Sequence, residues 1–373
     1  MPWKESTVMS ERLEFVTLAN KTGANRRELC KRYRVSSRTG YKWLKRFAAE
    51  GEAGLADRSR KPQQSPHRTR PEMEQLVVAL RQQYRTWSGH KLRQRLLDQG
   101  LDGVPSASTI TSILQRHNLL EPTEAEKHQP WLRFEHPEPN DLWQMDFKGE
   151  FGLLTGGKCF PLNVLDDHAR FSLCLHACSS VRTDPTQAIM IEVFRRYGLP
   201  RCITCDNGPP WGIQNSRYTK FSVWLLRLGI WVSHSRPHHP QTQGKAERFH
   251  RTLKAEVLRY LEPKDLSFCQ QAFSRWRYVY NHERPHEALG MKVPAQRYQP
   301  SPRPYPETLP PLEYGPDDLV QRVRGRGYIK YQGQELYLSE AFAGQDIALR
   351  FTNTDGVLDV YFAQHRITTF DLR

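Results

Sequence analysis

Three stretches, WQMDFKGEF (143–151), CFPLNVLDDH (159–168) and FSLCLHACSS (171–180), decide the fold. Each is short and rich in strand formers, and the gaps hold turn residues, Gly156-Gly157 in the first and Ala169-Arg170 in the second. They read as three consecutive strands. A helical stretch follows from Pro185 to Tyr197 and Gly198 stops it, after which RCITCDNG (201–208) supplies a fourth strand ending at Asp206. A helix near Tyr218 to Leu228, a short strand GIWVSHS (229–235) and a helix from Thr242 to Tyr260 complete the series. Three meandering strands, two αβ units and a closing helix predict a mixed sheet flanked by helices.

Acidic residues fall at informative places in this pattern. Asp146 interrupts an otherwise apolar first strand, Asp206 ends the fourth strand beside Asn207-Gly208, and Glu247 lies in the first turns of the closing helix. A carboxylate inside a strand is costly unless it meets a cation or a metal. Ligands of open α/β sheets bind at strand carboxyl ends. Three carboxylates converging from two strands and a helix could hold two hard divalent cations, the arrangement that activates water and stabilises a leaving oxygen in phosphodiester chemistry.

With WQMDF, CDNGP (205–209), SHSRPHHPQTQGKAERFHRTLK (233–254) and YNHERPHEALGMKVPAQRY (280–298), the chain resembles the Asp-Asp-Glu insertion-sequence transposases of the retroviral-integrase superfamily over residues 140–300. RPHHPQTQGKAER is the most specific part. The resemblance implies an RNase H-like catalytic core in which Asp146, Asp206 and Glu247 are both catalytic and metal-binding, with two Mg²⁺ ions, or Mn²⁺, as cofactor. It also places at Lys254 a basic residue that contacts the mobile element's DNA end. Helical spacing agrees, since Glu247, Arg251 and Lys254 fall on one face. Forty residues separate Asp206 from Glu247, more than is usual in such relatives, and the excess sits in GPPWGIQNSR (208–217), read as an insertion in a surface loop.

Before this core the period is helical. Asn25 and Glu28 read as a capping box opening a helix through Leu29, Cys30 and Tyr33; Val35-Ser36 is a turn, and a second helix runs from Ser37 to Ala49. This is a helix-turn-helix pattern. In its second helix Tyr41, Leu44, Phe47 and Ala48 are assigned to an apolar face, and Arg38, Lys42, Lys45 and Arg46 to a DNA-binding face. A similar unit follows: a helix from Pro71 to Thr86, a break at Ser88-Gly89, a helix over HKLRQRLLDQG (90–100), and one from Ser106 to His117, capped by Ser106 or Ser108, with Ile110, Ile113 and Leu114 inward. Its weaker charge points to packing or dimer contacts.

Two Pro-rich stretches serve as linkers, so the domains read as 1–65 and 66–120 (helix-turn-helix), 121–140 (linker), 141–298 (core), 299–316 (linker) and 317–373 (a small SH3-like β-barrel). In the last, Asn353-Thr-Asp-Gly356 is a hairpin signal, and Arg322, Arg324, Arg326 and Lys330 form a basic edge for DNA or a neighbouring subunit, or for solvent. The whole is a multidomain α/β chain. It carries 55 Lys and Arg against 40 Asp and Glu, a formal +15, which indicates a polyanionic partner. The gradient is steep: residues 1–70 hold 17 basic and 7 acidic residues, whereas residues 301–373 hold 8 and 10. No long apolar run or leader pattern is present, so a cytoplasmic, nucleoid-associated, bacterial-type protein without membrane partners is expected. Seven cysteines, an odd number, do not suggest a disulfide framework.

Other acids have plainer readings. Asp166 and Asp167 belong to the turn after the second strand, Asp141 and Glu150 flank the first, and Glu192 sits on an exposed helix face. Cys202 and Cys205 have CxxC spacing, with His234, His238 and His239 downstream, but residues three apart on a strand point to opposite faces, which disfavours a shared zinc. Cys174 and Cys178 read as small core residues.

The combined expectation is a DNA transposase that binds terminal inverted repeats, frees 3′-OH ends and joins them to target DNA, acting as a homo-oligomer on DNA. Two alternatives remain: a structure-selective RNase H-like nuclease, and a non-catalytic DNA-binding regulator derived from a transposase.

Overall fold

Polar caps set the helices of the first seventy residues, as described in a computed structural model that covers residues 7–58, 69–120, 135–212, 218–234 and 244–373. The chain divides into two units, residues 1–68 and 69–373. In the first, Thr7 caps α1 (Val8–Ala19), Asn25 caps α2 (Arg26–Arg32) by accepting from the Glu28 amide at 3.2 Å, and Ser36 caps α3 (Ser37–Glu50). The sequence pattern missed α1, which contributes Phe15, Val16 and Ala19 to the core. It also misplaced the apolar face of α3. The inward stripe is Gly40, Trp43, Leu44 and Phe47, spaced i, i+3, i+4, i+7, while Tyr41 is 55% exposed and Ala48 lies outside. Gly40 makes this possible, because a Cβ there would sit 2.5 Å from the Cys30 sulfur.

The second unit opens with three helices, α4 (Pro71–Gln83), α5 (Gly89–Asp98) and α6 (Ala107–Arg116). Ser106 is the cap, and Ile110, Ile113 and Leu114 are buried as expected. The mixed sheet follows: β1 (Leu142–Phe147), β2 (Phe151–Gly152), β3 (Lys158–Asp166), β4 (Ser172–Cys178), β5 (Cys202–Cys205) and β6 (Trp231–His234). β3 lies antiparallel between β1 and β4, and β1, β5 and β6 run parallel in that order.

Period-two alternation divides the sheet's faces. Trp143 and Met145 face α7 (Thr183–Tyr197) and α8 (Lys220–Arg227) in one core. On the other face Cys159, Leu165 and Leu175 meet α9 (Gly244–Leu253) and α10 (Leu266–His282). Phe249 of α9 is wedged edge-on against Trp276 and Tyr280 of α10, with centroids 5.3 and 4.9 Å away, pairs worth about 0.5–1.5 kcal/mol each beyond their burial. The closing helix expected from Thr242 is described from Gly244, and its last turn, Lys254–Leu258, is π-helical.

All six residues Phe221–Leu226 of α8 are buried, because Val223 and Leu226 face a third core. That core belongs to β7 (Leu319–Arg322), β8 (Tyr328–Tyr331), β9 (Gln334–Tyr337), β10 (Asp346–Phe351), β11 (Val357–Phe362) and β12 (His365–Asp371). A single closed barrel is not formed by these strands: pairing gives a four-stranded sheet, β12-β11-β10-β7, and a separate β8-β9 hairpin. Short strands joined by one-turn segments such as Glu340–Phe342 leave the two sheets sharing side chains rather than a ladder. The Pro-rich stretch 299–316 runs along the core, with Ser301 N donating to Tyr197 O at 2.8 Å and the Arg303 guanidinium donating to the Pro200 and Leu228 carbonyls. Among the described residues no helix is long and apolar enough to cross a membrane.

Candidate active site

The register that pairs Gln144 with Thr204 carries forward to set Asp146, in β1, beside Asp206, the residue after β5. Both therefore sit at the carboxyl ends of neighbouring parallel strands. Asp146 shares its face of the sheet with Gln144 and with Asn163, its partner across β3. Glu247 lies in the first turn of α9, which crosses that face. Burial first, then the charges of Asp206 and Glu247, push the Asp146 carboxyl up to about 7.

Asp206 is held by its own loop. Its Oδ1 accepts from the Gly208 amide at 2.9 Å and from the Trp211 indole. Trp211 is buried and stacks on Phe147 at 5.3 Å. The described part of the stretch read as a surface insertion thus turns inward, because a large indole gains more from burial than from solvent; residues 213–217 lie outside the described residues.

The three acids stand apart. Among the described residues no three His, Cys, Asp or Glu side chains are close enough to share one metal ion. In kind, however, the donors suit a hard divalent cation, being three carboxylates with no thiolate among them. His250 Nδ1 lies 3.7 Å from Asp146 Oδ2, and burial followed by Lys148 pushes that imidazole down to about 4. At neutral pH His250 is uncharged, so Asp146 has no ion pair there. Asn163 meets the other ring nitrogen at 3.1 Å.

Arg251 and Lys254 are exposed on α9, as is Glu247. In the first unit Arg38, Lys42 and Lys45 are exposed, while Arg46 is half-buried over Trp43, 5.1 Å from its ring, with Lys42 at 4.5 Å. Asp166 keeps its turn role, accepting from the Ala169 amide at 2.7 Å and the Asn140 amide at 2.8 Å. Asp167 does more than form a turn: it is buried, pairs with Lys245, and accepts from Gln144. Strand periodicity could have flagged Gln144, two residues before Asp146, and helical periodicity His250, three after Glu247. Cys202 and Cys205 lie on β5, where burial pushes the Cys202 thiol up to about 12 and that of Cys205 well up; His238 and His239 lie outside the described residues. In the C-terminal sheets Arg322 pairs with Asp346 and Arg324 with Glu335, so part of the basic edge is internally neutralised.

Comparison with known families agrees with this layout. Residues 136–240 and 228–294 each match a family model of the integrase core domain, residues 11–63 a helix-turn-helix domain, residues 39–114 a homeodomain-like domain, and residues 318–373 the C-terminal domain of IS481 family transposases. The chain thus carries matches to an integrase core, helix-turn-helix domains and an IS481-type transposase C-terminal domain, and relatives similar to it are named as insertion-element proteins. Among similar proteins, the uncharacterized 39.2 kDa protein of insertion element IS476 from Xanthomonas euvesicatoria is 28% identical over 42% of this chain and 44% of its own. The putative transposase for insertion sequence element IS5376 from Geobacillus stearothermophilus is 23% identical over 62% of this chain and 59% of its own. The chain spans about half the length of the curated relatives it matches. The solved HTLV-2 integrase catalytic core domain, in complex with magnesium, is similar at 19% identity over 43% of this chain and 97% of that one, with a TM-score of 0.35.

Proposed function

We propose that the chain is a metal-dependent DNA transposase that binds the terminal inverted repeats of its element, cleaves to free 3′-OH ends and joins them to target DNA. The observation that carries this reading is the set of carboxylates Asp146, Asp206 and Glu247, two at adjacent strand ends and one on the helix across the same face. Asp146, pressed by burial and its two neighbours, is the acid most in need of a cation. Together the three would hold Mg²⁺ or Mn²⁺. Two such ions, when bound, would supply a more acidic water and neutralise charge on the departing 3′ oxygen.

The chain's own residues provide the rest. Arg251 and Lys254, exposed along α9 beside Glu247, would grip phosphates of the element end, and Arg38, Lys42, Lys45 and Arg46 those of the repeat farther in. Buried Trp211 and half-buried Phe147 form an apolar floor beside Asp206. Joining two ends calls for at least two copies on the DNA. In this reading the chain is organised as helix-turn-helix units 1–65 and 66–120, linker 121–140, core 141–298, linker 299–316 and C-terminal domain 317–373, and it works in the cytoplasm on the nucleoid.

Strand transfer of end-sequence DNA in Mg²⁺ tests the proposal. Asp206→Asn should abolish both 3′ cleavage and joining while leaving end binding intact, and wild-type joining by that variant would sink the assignment. Cleavage without any joined product would instead identify a nuclease.

A further inference from the structure

Glu247 can act with Asp146 only if the first turn of α9 is held in register with β1, and a buried polar network makes that connection. The first amides of a helix have no partner within it. Here the Ala246 amide donates to Gln144 Oε1 at 3.0 Å, and Gln144 is buried in β1 two residues before Asp146. Since Gln144 and Asp146 share a face, the Gln144–Ala246 bond couples the strand that carries Asp146 to the helical turn that carries Glu247.

Gln144 is itself fixed. Its Nε2 donates to Asp167 Oδ1 at 2.9 Å, so the amide cannot turn over without setting donor against donor and acceptor against acceptor. Asp167 also pairs with Lys245, the residue before Ala246, and its Oδ2 accepts from the His136 amide at 2.9 Å. The Asp167 side chain is 2% exposed and that of Lys245 17%, so neither partner is screened by water. Lys245 at a helix N-terminus opposes the helix dipole, and the Asp167 carboxylate offsets this. One side chain from the end of β3 thus ties together the segment before β1, β1 itself and the start of α9.

We propose that Asp167, acting through Gln144 and Lys245, is a positioning residue that sets where Glu247 stands relative to Asp146, and so determines how tightly the site takes up a divalent cation. The inference rests on the reading of Glu247 as a metal ligand. Outer-layer partners of this kind are worth about 10–100-fold in metal affinity.

The test is Mn²⁺ binding to the full chain, followed by the paramagnetic signal of the free ion, alongside thermal unfolding. Gln144→Met and Lys245→Met should each weaken Mn²⁺ binding about tenfold. Lys245→Arg, which keeps the ion pair, should restore it. Asn281→Ala, which removes hydrogen bonds between α10 and the Ser172 backbone, serves as a stability control and should lower the unfolding temperature without changing Mn²⁺ affinity. Glu247→Gln separates the two ideas. If it weakens binding while Gln144→Met and Lys245→Met bind as wild type does, the positioning role is wrong and the ligand assignment stands. If Glu247→Gln also binds as wild type does, the ligand assignment fails first. Should Gln144→Met not fold, the Lys245→Met and Lys245→Arg pair decides alone.

Discussion

The two N-terminal helical units use one motif in opposite ways. In residues 7–58 the core is small, built on Phe15, Val16, Cys30, Trp43 and Leu55, and Arg38, Lys42 and Lys45 on α3 are exposed. In residues 69–120 the helices are bound to the mixed-sheet core. Tyr84 donates to Glu283, Arg95 pairs with Glu283 at 3.1 Å, Thr86 donates to Glu256, Arg85 lies 5.1 Å over the Tyr260 ring, and Val279 packs against the bundle. The same fold can therefore present its cations to an external partner or engage them with its own chain. Only the first leaves charge in place for a nucleic acid.

Core truncation is the most forceful way to break this comparison. Trp43 and Trp87 are both buried, and replacing either with Ala should cost about 3–5 kcal/mol. The consequences should differ. Trp43→Ala should lower a separate, smaller calorimetric transition and leave the main one in place, whereas Trp87→Ala should lower the main transition itself. Equal shifts of one shared transition in both variants would show that the contrast between the units is false.

Charge removal is the next effect in size. Neutralising Arg38, Lys42, Lys45 and Arg46 to Gln should weaken binding of end DNA by about 10²-fold or more, and reduce the slope of log K against log salt by roughly three to four. Neutralising Arg85 and Arg95 should change that slope little, because Arg95 already pairs with Glu283 and Arg85 lies over Tyr260. Filter binding or fluorescence anisotropy across a salt series measures both. Similar slope changes from the two sets would mean that the second unit also faces DNA.

What could be read from the sequence divides along the same line. Local signals were legible: the caps at Asn25 and Ser106, the inward Ile110, Ile113 and Leu114, the strand alternation around Asp146, and Glu247 in a first turn. Each depends on neighbours within a few residues. The misplacement of Tyr41 has a physical cause, since Trp43 has a larger ring to bury and Gly40 lets α3 approach Cys30 and Phe15 closely. Long-range partners were not legible. Nothing near Tyr84 announces Glu283, nothing near Asp206 says that Trp211 will fold back onto it, and the turn composition around Asp167 hides its pairing with Lys245. Barrel closure in the C-terminal strands likewise depends on pairings that alternation alone does not specify.

The smallest predicted effect probes the seam between the second unit and the core. Lys91 of α5 is partly buried there, and desolvation, then Arg284, with Arg248 adding to it, outweighs Glu256 and Glu287 and pushes its ammonium down to about 8. A lysine whose folded pKa lies below its unfolded value near 10.5 costs stability wherever the folded group is charged, which is below pH 8. Between pH 8 and 10.5 the unfolded chain binds the extra proton, so this contribution to wild-type stability rises with pH across that window. Lys91→Met removes the charge and keeps the stem, and at pH 7 it should stabilise the second unit by about 1–2 kcal/mol. The advantage should shrink steadily as pH rises above 8 and be nearly gone at 10.5. Chemical denaturation of wild type and variant at a series of pH values reads the difference directly. A variant less stable than wild type at pH 7 would mean that Lys91 has a compensating partner and that the seam is held by charge; a gain that fades on schedule would mean that packing holds it, with Lys91 retained despite its cost.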